Sequence, residues 1–363
     1  MNWCKSLLLT LGLAFAPLIC AKTSVLLINP SHSDDPFWRK VETFTAYAAQ
    51  DLDMKFDVIY GDAHREFQQQ NLQEYLAKNP APDYAILINY PGGDGQSMKL
   101  LEAHKVFYIT LEQTLSEKER EAIGPPGEKL KYWLSELSHD NEQAGFDLTQ
   151  ELIRQAKAKN MNHVSLVAIG GHYGAETDHR VRGMEHFLSL EKVPLSQLVH
   201  AQWRADLAAK QTTLLLRRYP ETNIIWSASD EMAMAASDAA ILAGKHVNND
   251  IFIGGFDWLP AALNRIEKQQ LTASVGGHFL MGAWAVIKAY DHDKLGEKAR
   301  LPANISFKLA IANADNVARI KPLVEPLNWR DIDFKQYTRT HNSSLTDYPF
   351  DVSSILEQHF TSQ

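Results

Sequence analysis

The stretch VLLINPSHSDDPFW, residues 25–38, contains the first structural unit of the chain. Val25–Ile28 is an uninterrupted apolar run, which is typical of a strand buried on both faces of a parallel sheet. Pro36 suits the first turn of a helix, because its ring fixes the backbone angle needed there. The order of strand, loop and helix therefore predicts an α/β protein whose sheet is covered by helices.

This order repeats along the chain. The apolar runs, read as strands, are Val25–Ile28, Phe56–Ile59, Ala85–Ile88, Val106–Ile109, Val164–Val167, Leu198–Val199, Ile224–Trp226 and Ile251–Ile253. Helical periodicity is expected near 38–52, 67–78, 95–104, 141–158, 179–190, 205–218, 230–243 and 279–291. The repeat pauses between Leu111 and Ser138, where GPPG at 124–127 interrupts a charged stretch. The pattern predicts two doubly wound parallel-sheet lobes, a last strand near 305–311 and an extension rich in turns.

The N-terminus and the composition limit the class of protein. Lys5 precedes a short apolar core and the small Ala21 follows it, which indicates a secretory signal peptide over residues 1–21. Cys20 leaves a lipid anchor open, although the preceding residues lack the small side chain expected at such a cut. The net charge is −8 and no Lys/Arg block stands out, which argues against nucleic-acid binding. We therefore expect a protein exported to the periplasm.

The loops that follow the predicted strands carry the candidate binding residues. Ligands of open α/β sheets bind beyond the carboxyl ends of the strands. Aromatic rings can cover the apolar faces of a sugar, and charged or amide groups can bond its hydroxyls. The candidates at these strand ends are Asp35, Phe37, Trp38, Glu112, Gln113, Tyr173, Arg180, Trp203, Ser229, Asp230, Asp257 and Trp258.

Structural roles compete with binding at several of these positions. One of Phe37 and Trp38 can simply anchor the first helix to the core. Ser229 and Asp230 precede a helix, so we expect one of them to cap it and the other to contact ligand. Trp203 and Asp257 lie in otherwise polar loops, which favours a functional role.

Catalytic and cofactor motifs are weak. The loop GGHYG at 170–174 lacks the spacing of the dinucleotide and Walker phosphate loops, and no G-x-S-x-G motif is present. His172, His179 and His186 recur every seven residues, but no H-E-x-x-H or cysteine pair accompanies them. We expect a binding protein rather than an enzyme, with no cofactor and no metal.

Three motifs resemble those of a known family, the type I periplasmic substrate-binding proteins of the ribose/galactose-binding group. These are DPFW at 35–38, RVRG at 180–183, and SDEMAM at 229–234 with GGFD at 254–257. The resemblance spans nearly the whole chain after the signal peptide. It implies sugar contacts from Asp35, Phe37, Trp38, Arg180, Ser229 and Asp257, with Trp203 as a stacking aromatic. At the hinge, His278 replaces the expected glutamine or arginine.

The resemblance also implies two lobes joined by three crossovers that close on a ligand. We expect the first lobe to comprise 22–111 and 279–311, the second 112–278 and 312–363, and the crossovers to lie near 112–140, 277 and 311. The implied partners are a small polar, carbohydrate-like ligand and the membrane permease of an ABC importer, with the protein as a monomer. In length and first loop the chain is also similar to the periplasmic receptor for the furanosyl autoinducer, so the periplasmic domain of a sensor histidine kinase is an alternative partner. The acidic pair Asp34 and Asp35 suggests a ligand with an amino group.

Overall fold

A computed structural model of the protein describes residues 22–90, 93, 95–112, 115–161, 163–299, 301–346, 348 and 352–359. The predicted signal peptide, residues 1–21, lies outside this part of the chain. None of the described helices is long and apolar enough to cross a membrane.

The chain as far as residue 139 builds the first lobe. Its strands form a parallel sheet in the order β5-β4-β3-β1-β2. The run Val25–Ile28 lies in β1, between β3 and β2, and each of its residues is at most 1% exposed, as expected for a strand covered on both faces. The elements are β1 (Ser24–Asn29), α1 (Pro36–Asp51), β2 (Lys55–Tyr60), α2 (Arg65–Lys78), β3 (Tyr84–Leu87), α3 (Gln96–Ala103), β4 (Phe107–Leu111), α4 (Glu117–Ile123) and β5 (Trp133–His139).

Residues 141–276 build the second lobe on the same plan. Its strands run parallel in the order β10-β9-β8-β6-β7, again with helices on both faces. The elements are α5 (Asn141–Ala158), β6 (Leu166–Gly170), α6 (Ala175–Glu191), β7 (Leu195–His200), α7 (Ala205–Arg218), β8 (Ile224–Ser227), α8 (Asp230–Leu242), β9 (Phe252–Phe256), α9 (Pro260–Glu267) and β10 (Ala273–Gly276).

The rest of the chain passes back and forth between the lobes. A 3-10 turn at His278–Leu280 leads into α10 (Met281–Leu295), which packs on the first sheet. Strand β11 (Asn304–Phe307) then joins β5 in parallel, and β12 (Ala310–Asn313) joins β10 antiparallel in the second sheet. Helix α11 (Val317–Val324) packs on the second lobe against α9. The crossovers therefore lie at 140, at 277 and at 308–309, and the predicted fold class is confirmed.

The structure differs from the predicted domain boundaries in three places. Residues 133–139 were assigned to the second lobe, but they form β5 of the first sheet. Their sequence WLSELSH alternates with polar residues, and Glu136 is buried there because Arg120 pairs with it at 3.1 Å. The single strand expected near 305–311 is two strands, β11 and β12, which lie in different sheets.

The third difference is the C-terminal extension, which lies on the first lobe instead of the second. Trp329 is 1% exposed, its ring meets Phe44 of α1 edge to face at 5.0 Å, and it stacks on Phe279 at 5.7 Å. Further along, the buried Asp291 of α10 accepts hydrogen bonds from the backbone N–H groups of Arg339 and Thr340 and from the Thr340 and Tyr348 hydroxyls. Their lengths are 2.7–3.0 Å. The extension ends in α12 (Val352–His359). It thus completes the core between α1 and α10.

Replacing Trp329 with alanine tests this role of the extension. We expect Trp329→Ala to lower the free energy of unfolding by about 3–5 kcal/mol, because it removes a buried ring from an aromatic cluster. Urea unfolding measures the change. Leu327→Ala is the matched control, since Leu327 is 73% exposed in the same segment and should change stability by less than about 0.5 kcal/mol. Equal, small effects of both substitutions would contradict a packed extension.

Candidate functional site

A buried lysine joins the two lobes at the carboxyl ends of their strands. Lys40 lies on α1 in the first lobe and is 7% exposed. Its Nζ donates hydrogen bonds of 2.7 and 2.8 Å to the backbone carbonyl oxygens of Asp257 and Trp258, in the loop after β9. Burial lowers the pKa of Lys40 to about 7, although the charges of Asp257 and Asp230 oppose this effect. The first turns of α1 therefore face the loop that carries Asp257.

A second contact crosses between the lobes at the hinge. His278 follows Gly277, whose φ of 111° is a backbone conformation that glycine adopts readily. The His278 Nε2 lies 3.2 Å from Asp257 Oδ1, and its ring stacks on Phe37 at 4.4 Å between ring centres. Burial, followed by the positive charges of Arg180 and Lys40, holds the pKa of His278 well below its ordinary value. Burial therefore favours the neutral form of His278 beside Asp257.

Arg180 is fixed by the close approach of α5 and α6. A Cβ on Gly145 would lie 1.9 Å from the Arg180 carbonyl oxygen, and one on Gly183 would lie 1.8 Å from that of Glu142. Only glycines permit this spacing of the two helices. It lets the 4% exposed Arg180 donate from Nε to Asn141 Oδ1 at 2.8 Å and from a terminal nitrogen to the Ala228 carbonyl oxygen at 2.7 Å.

Three carboxylates surround these groups. Glu112, from the end of β4, is 7% exposed and has a φ of 61°, and Asp257 is 8% exposed with a φ of 112°. Such positive φ values are strained for these residues and are often found at functional sites. Burial raises the pKa of Glu112 to about 8, with a further increase from the charge of Glu176 at the start of α6. Burial likewise raises the pKa of Asp257 to about 6, against the opposing charges of Arg180 and Lys40.

Asp35 is occupied by the helix that it precedes. Its Oδ1 accepts hydrogen bonds from the backbone N–H groups of Phe37 and Trp38 at 3.0 and 2.9 Å, and its Oδ2 accepts one from the Ser31 hydroxyl at 2.8 Å. Asp35 is therefore the N-cap of α1. Asp34 is exposed. The structure thus supplies a local reason for an acidic residue in this corner.

Comparisons with known proteins agree with this arrangement. A family model described as "Periplasmic binding protein domain" matches residues 25–298. This chain belongs to the periplasmic binding protein family. The predicted family is confirmed, and membership implies a periplasmic location.

Individual relatives extend the similarity over most of the chain. The D-allose-binding periplasmic protein of Escherichia coli (strain K12) is 23% identical over 314 residues, which are 85% of this chain and 96% of the relative. The structure of a periplasmic sugar-binding protein from Pseudomonas fluorescens matches with a TM-score of 0.82 at 26% identity. The match covers 92% of this chain and 99% of the other protein's chain. A Caulobacter myo-inositol binding protein bound to myo-inositol shares the fold, with a TM-score of 0.67 at 20% identity, covering 82% of this chain and 94% of its own.

The periplasmic binding protein fold brings many of the predicted site residues together. Phe37, Arg180, Asp257 and His278 lie in the network that joins the lobes, and Trp38 meets Phe37 edge to face at 5.2 Å. Trp203 covers Gly171, and the Arg180 guanidinium lies 5.9 Å from its ring centre. Tyr173 stacks on His200 at 4.0 Å but is 81% exposed, so it lies on the surface beyond these groups.

Other predicted site residues have structural roles in the second lobe. Ser229 is the N-cap of α8. Asp230 is fully buried and accepts hydrogen bonds of 2.9 Å from the Leu259 N–H and the Ser274 hydroxyl. The expectation that one of this pair caps the helix is met by Ser229, whereas Asp230 braces the loop below Asp257. Trp258 is also fully buried and bonds the Ser274 carbonyl oxygen, so it belongs to the core. Gln113 lies outside the described residues.

Sequence reasoning missed four residues of this region: Lys40, His139, Asn141 and Glu176. His139 and Asn141 were missed because β5 was not recognised, and they lie at its end. Lys40 follows Phe37 by three residues, so both lie on the inward face of α1. Lysine is rarely buried unless it has a partner, and its position on that face could have indicated this contact. Glu176 precedes Arg180 by one helical turn. Among the described residues, no group of His, Cys, Asp and Glu side chains is arranged to hold a metal ion.

A larger residue at the contact between α5 and α6 should destabilise the protein. We expect Gly183→Ala to destabilise it by about 2 kcal/mol or more, because the new methyl group would collide with the backbone of α5. Urea unfolding measures this loss. Glu185→Ala, on an exposed position of the same helix, is the control and should change stability little. An unchanged unfolding midpoint for Gly183→Ala would contradict the tight helix crossing.

The buried Glu112 should make stability depend on pH. In the folded protein Glu112 keeps its proton up to about pH 8, whereas its ordinary pKa is 4.5. Its contribution to stability is therefore full below 4.5 and is lost as the pH rises through 8. We expect Glu112→Gln to be more stable than the wild type at about pH 9 and to lose this advantage near pH 4.5.

Thermal unfolding of both proteins across this range measures the difference. Glu185→Gln, which makes the same charge change on an exposed position of α6, should follow the wild type at every pH. A constant difference between Glu112→Gln and the wild type would show that Glu112 titrates normally.

Proposed function

We propose that this periplasmic binding protein captures a sugar or sugar derivative in the cleft between its lobes and delivers it to an ABC importer. The observation that carries the proposal is the set of buried polar atoms without partners at the strand ends. Among the described residues these include Asn89 Nδ2, Ser227 Oγ, His139 Nδ1 and His278 Nδ1. A buried polar atom without a hydrogen bond costs about 1–3 kcal/mol, so a hydroxylated ligand that bonds them would gain affinity.

The aromatic side chains supply the second half of the site. Phe37 and Trp203 are half-buried rings on opposite lobes, and each lies beside a charged or polar group of the network. Rings of this kind cover the C–H faces of a sugar while Arg180, Asp257 and Glu112 bond its hydroxyls. The relatives support the same class of ligand, since their names specify D-allose, sugar and myo-inositol, which are all polyhydroxylated.

Delivery follows from the hinge. A ligand held by residues of both lobes stabilises the arrangement in which the lobes meet, so the permease can recognise the loaded protein by its shape. We propose that a single copy of the chain does this. The contacts of Lys40 and His278 with the Asp257 loop would then form together with ligand capture.

A panel of neutral and charged monosaccharides and inositols, titrated by calorimetry, tests the binding proposal. We expect at least one to bind, and Arg180→Lys to weaken it by roughly tenfold or more, because lysine cannot reproduce the guanidinium's fixed fork of donors. Arg182→Lys, on an exposed position of the same helix, is the matched control. No binding by any member of the panel would overturn the proposed ligand class.

Uptake of the bound sugar by cells with and without the gene tests the importer. We expect uptake to fall when the gene is deleted. Unchanged uptake with a lost transcriptional response would overturn delivery and favour the sensor-kinase partner.

A further inference from the structure

Glu112 is a buried acid at the end of β4. Its carboxylate has no hydrogen bond and no ion pair with any described residue, and the residue is only 7% exposed. The charged groups that act on it are Glu176, Arg180 and Asp257, all of which belong to the second lobe. Glu112 itself belongs to the first lobe. Because Glu112 directly follows β4, it lies at the carboxyl end of the first sheet, where the first lobe meets the second.

The two cations of the cleft do not neutralise these acids. The Lys40 ammonium donates to the carbonyl oxygens of Asp257 and Trp258, and the Arg180 guanidinium donates to Asn141 and to the carbonyl oxygen of Ala228. All four acceptors are uncharged. Neither cation lies within 4.0 Å of a carboxylate oxygen of a described residue. The nearest ionisable partner of Asp257 is His278, at 3.2 Å.

The buried histidines add acceptors rather than positive charge. Asn141 Oδ1 already accepts from Arg180, which can only donate, so His139 Nε2, at 3.0 Å from the same oxygen, must also be a donor. The His278 Nε2 lies 3.2 Å from Asp257 Oδ1. Burial holds the pKa of both histidines well below the ordinary value, so both are neutral. His139 therefore carries a lone pair on Nδ1, and neither histidine's Nδ1 has a partner among the described residues.

The cleft thus contains three acids, Glu112, Glu176 and Asp257, with no Lys or Arg nitrogen of a described residue within 4.0 Å of their carboxylate oxygens. We propose that its ligand is a hydroxylated ring that carries a protonated amine, such as an amino sugar, with the ammonium group bound by Glu112 between Glu176 and Asp257. This inference rests on the proposed function and specifies its ligand class. An ammonium group only donates hydrogen bonds and can donate to several acceptors at once, whereas a hydroxyl group can donate to only one.

Matched pairs of ligands test the inference at about pH 6.5, where a sugar amine is protonated. The probes are D-glucosamine, D-galactosamine and D-mannosamine, each compared with its parent sugar and its N-acetyl derivative by titration calorimetry. We expect at least one amine to bind about tenfold or more tightly than both of its neutral counterparts. Because the N-acetyl form keeps the nitrogen and removes the charge, it separates charge from hydrogen bonding.

Proton release gives a second readout. Glu112, with a pKa of about 8, is protonated before binding and must ionise to pair with an ammonium group. We expect release of about one proton per amine bound, measured from binding enthalpies in buffers of different ionisation enthalpy, and none for the neutral parent. Glu112→Gln should abolish the release and reduce the preference for the amine, whereas Glu185→Gln should retain both.

The outcomes separate the two proposals. Binding of the parent sugars with no preference for any amine would overturn this inference and leave the proposed function standing. An amine preference that survives in Glu112→Gln would overturn the assignment of Glu112. Failure of every probe, charged or neutral, would overturn both proposals.

Discussion

The hydrogen bonds from the Lys40 ammonium to two consecutive carbonyl oxygens are the contact on which the cleft depends. Asp257 and Trp258 both have positive φ values, 112° and 51°, so the chain turns sharply and presents both carbonyls to one group. Positive φ values cost backbone free energy, and this conformation persists where surrounding contacts hold it in place. Those contacts are the hydrogen bonds that the Asp230 carboxylate accepts from the Leu259 N–H and the Ser274 hydroxyl, and the burial of the Trp258 ring against Gly276. The core of the second lobe therefore fixes the two carbonyl oxygens to which Lys40 of the first lobe donates its hydrogen bonds.

Two further constraints make both walls of the cleft rigid. On one side, Gly145 and Gly183 let α5 and α6 touch, which fixes the backbone of Arg180. On the other, the extension packs Trp329 between Phe44 and Phe279 and thereby holds α1 and the turn after His278. Rigid walls reduce the entropy that binding must overcome, because their side chains are already ordered. Each lobe thus holds its half of the proposed site in place by its own contacts.

The periodic parts of the sequence predicted the fold well, and the irregular parts did not. Strands such as Val25–Ile28 are apolar throughout because both faces are buried, so their pattern is independent of context. Strand β5 lacks this continuous apolar pattern because it contains Glu136. Glu136 can be buried because it pairs with Arg120, which lies thirteen residues before the strand begins. The crossover between β11 and β12 occupies two residues, which is too short for any local pattern to separate two strands of different sheets.

The candidate site shows a similar division. Residue type and strand-end position identified Arg180, Asp257 and Phe37, but they could not distinguish Ser229 and Trp258, which have structural roles. Lys40 was missed because its function depends on carbonyl oxygens, and backbone acceptors leave no trace in a sequence. The role of a side chain in one lobe depends on the groups that it meets in the other lobe, and only the folded chain shows which side chains face each other.

The acidic corner at Asp34 and Asp35 illustrates why charge must be judged by its surroundings. Its sequence suggested an amine in the ligand, yet the Asp35 oxygens already accept hydrogen bonds from the N-terminus of α1 and from the Ser31 hydroxyl, and Asp34 is exposed to water. A charge that is already satisfied has little influence on what binds. Glu112 directly follows strand β4, and its carboxylate has no hydrogen bond or ion pair with a described residue. Because an unpaired buried carboxylate is costly to ionise, only a ligand that supplies positive charge makes ionisation favourable there. The ion pair that a ligand's ammonium group would form with Glu112 is therefore the physical basis of the preference for a cationic sugar that we propose.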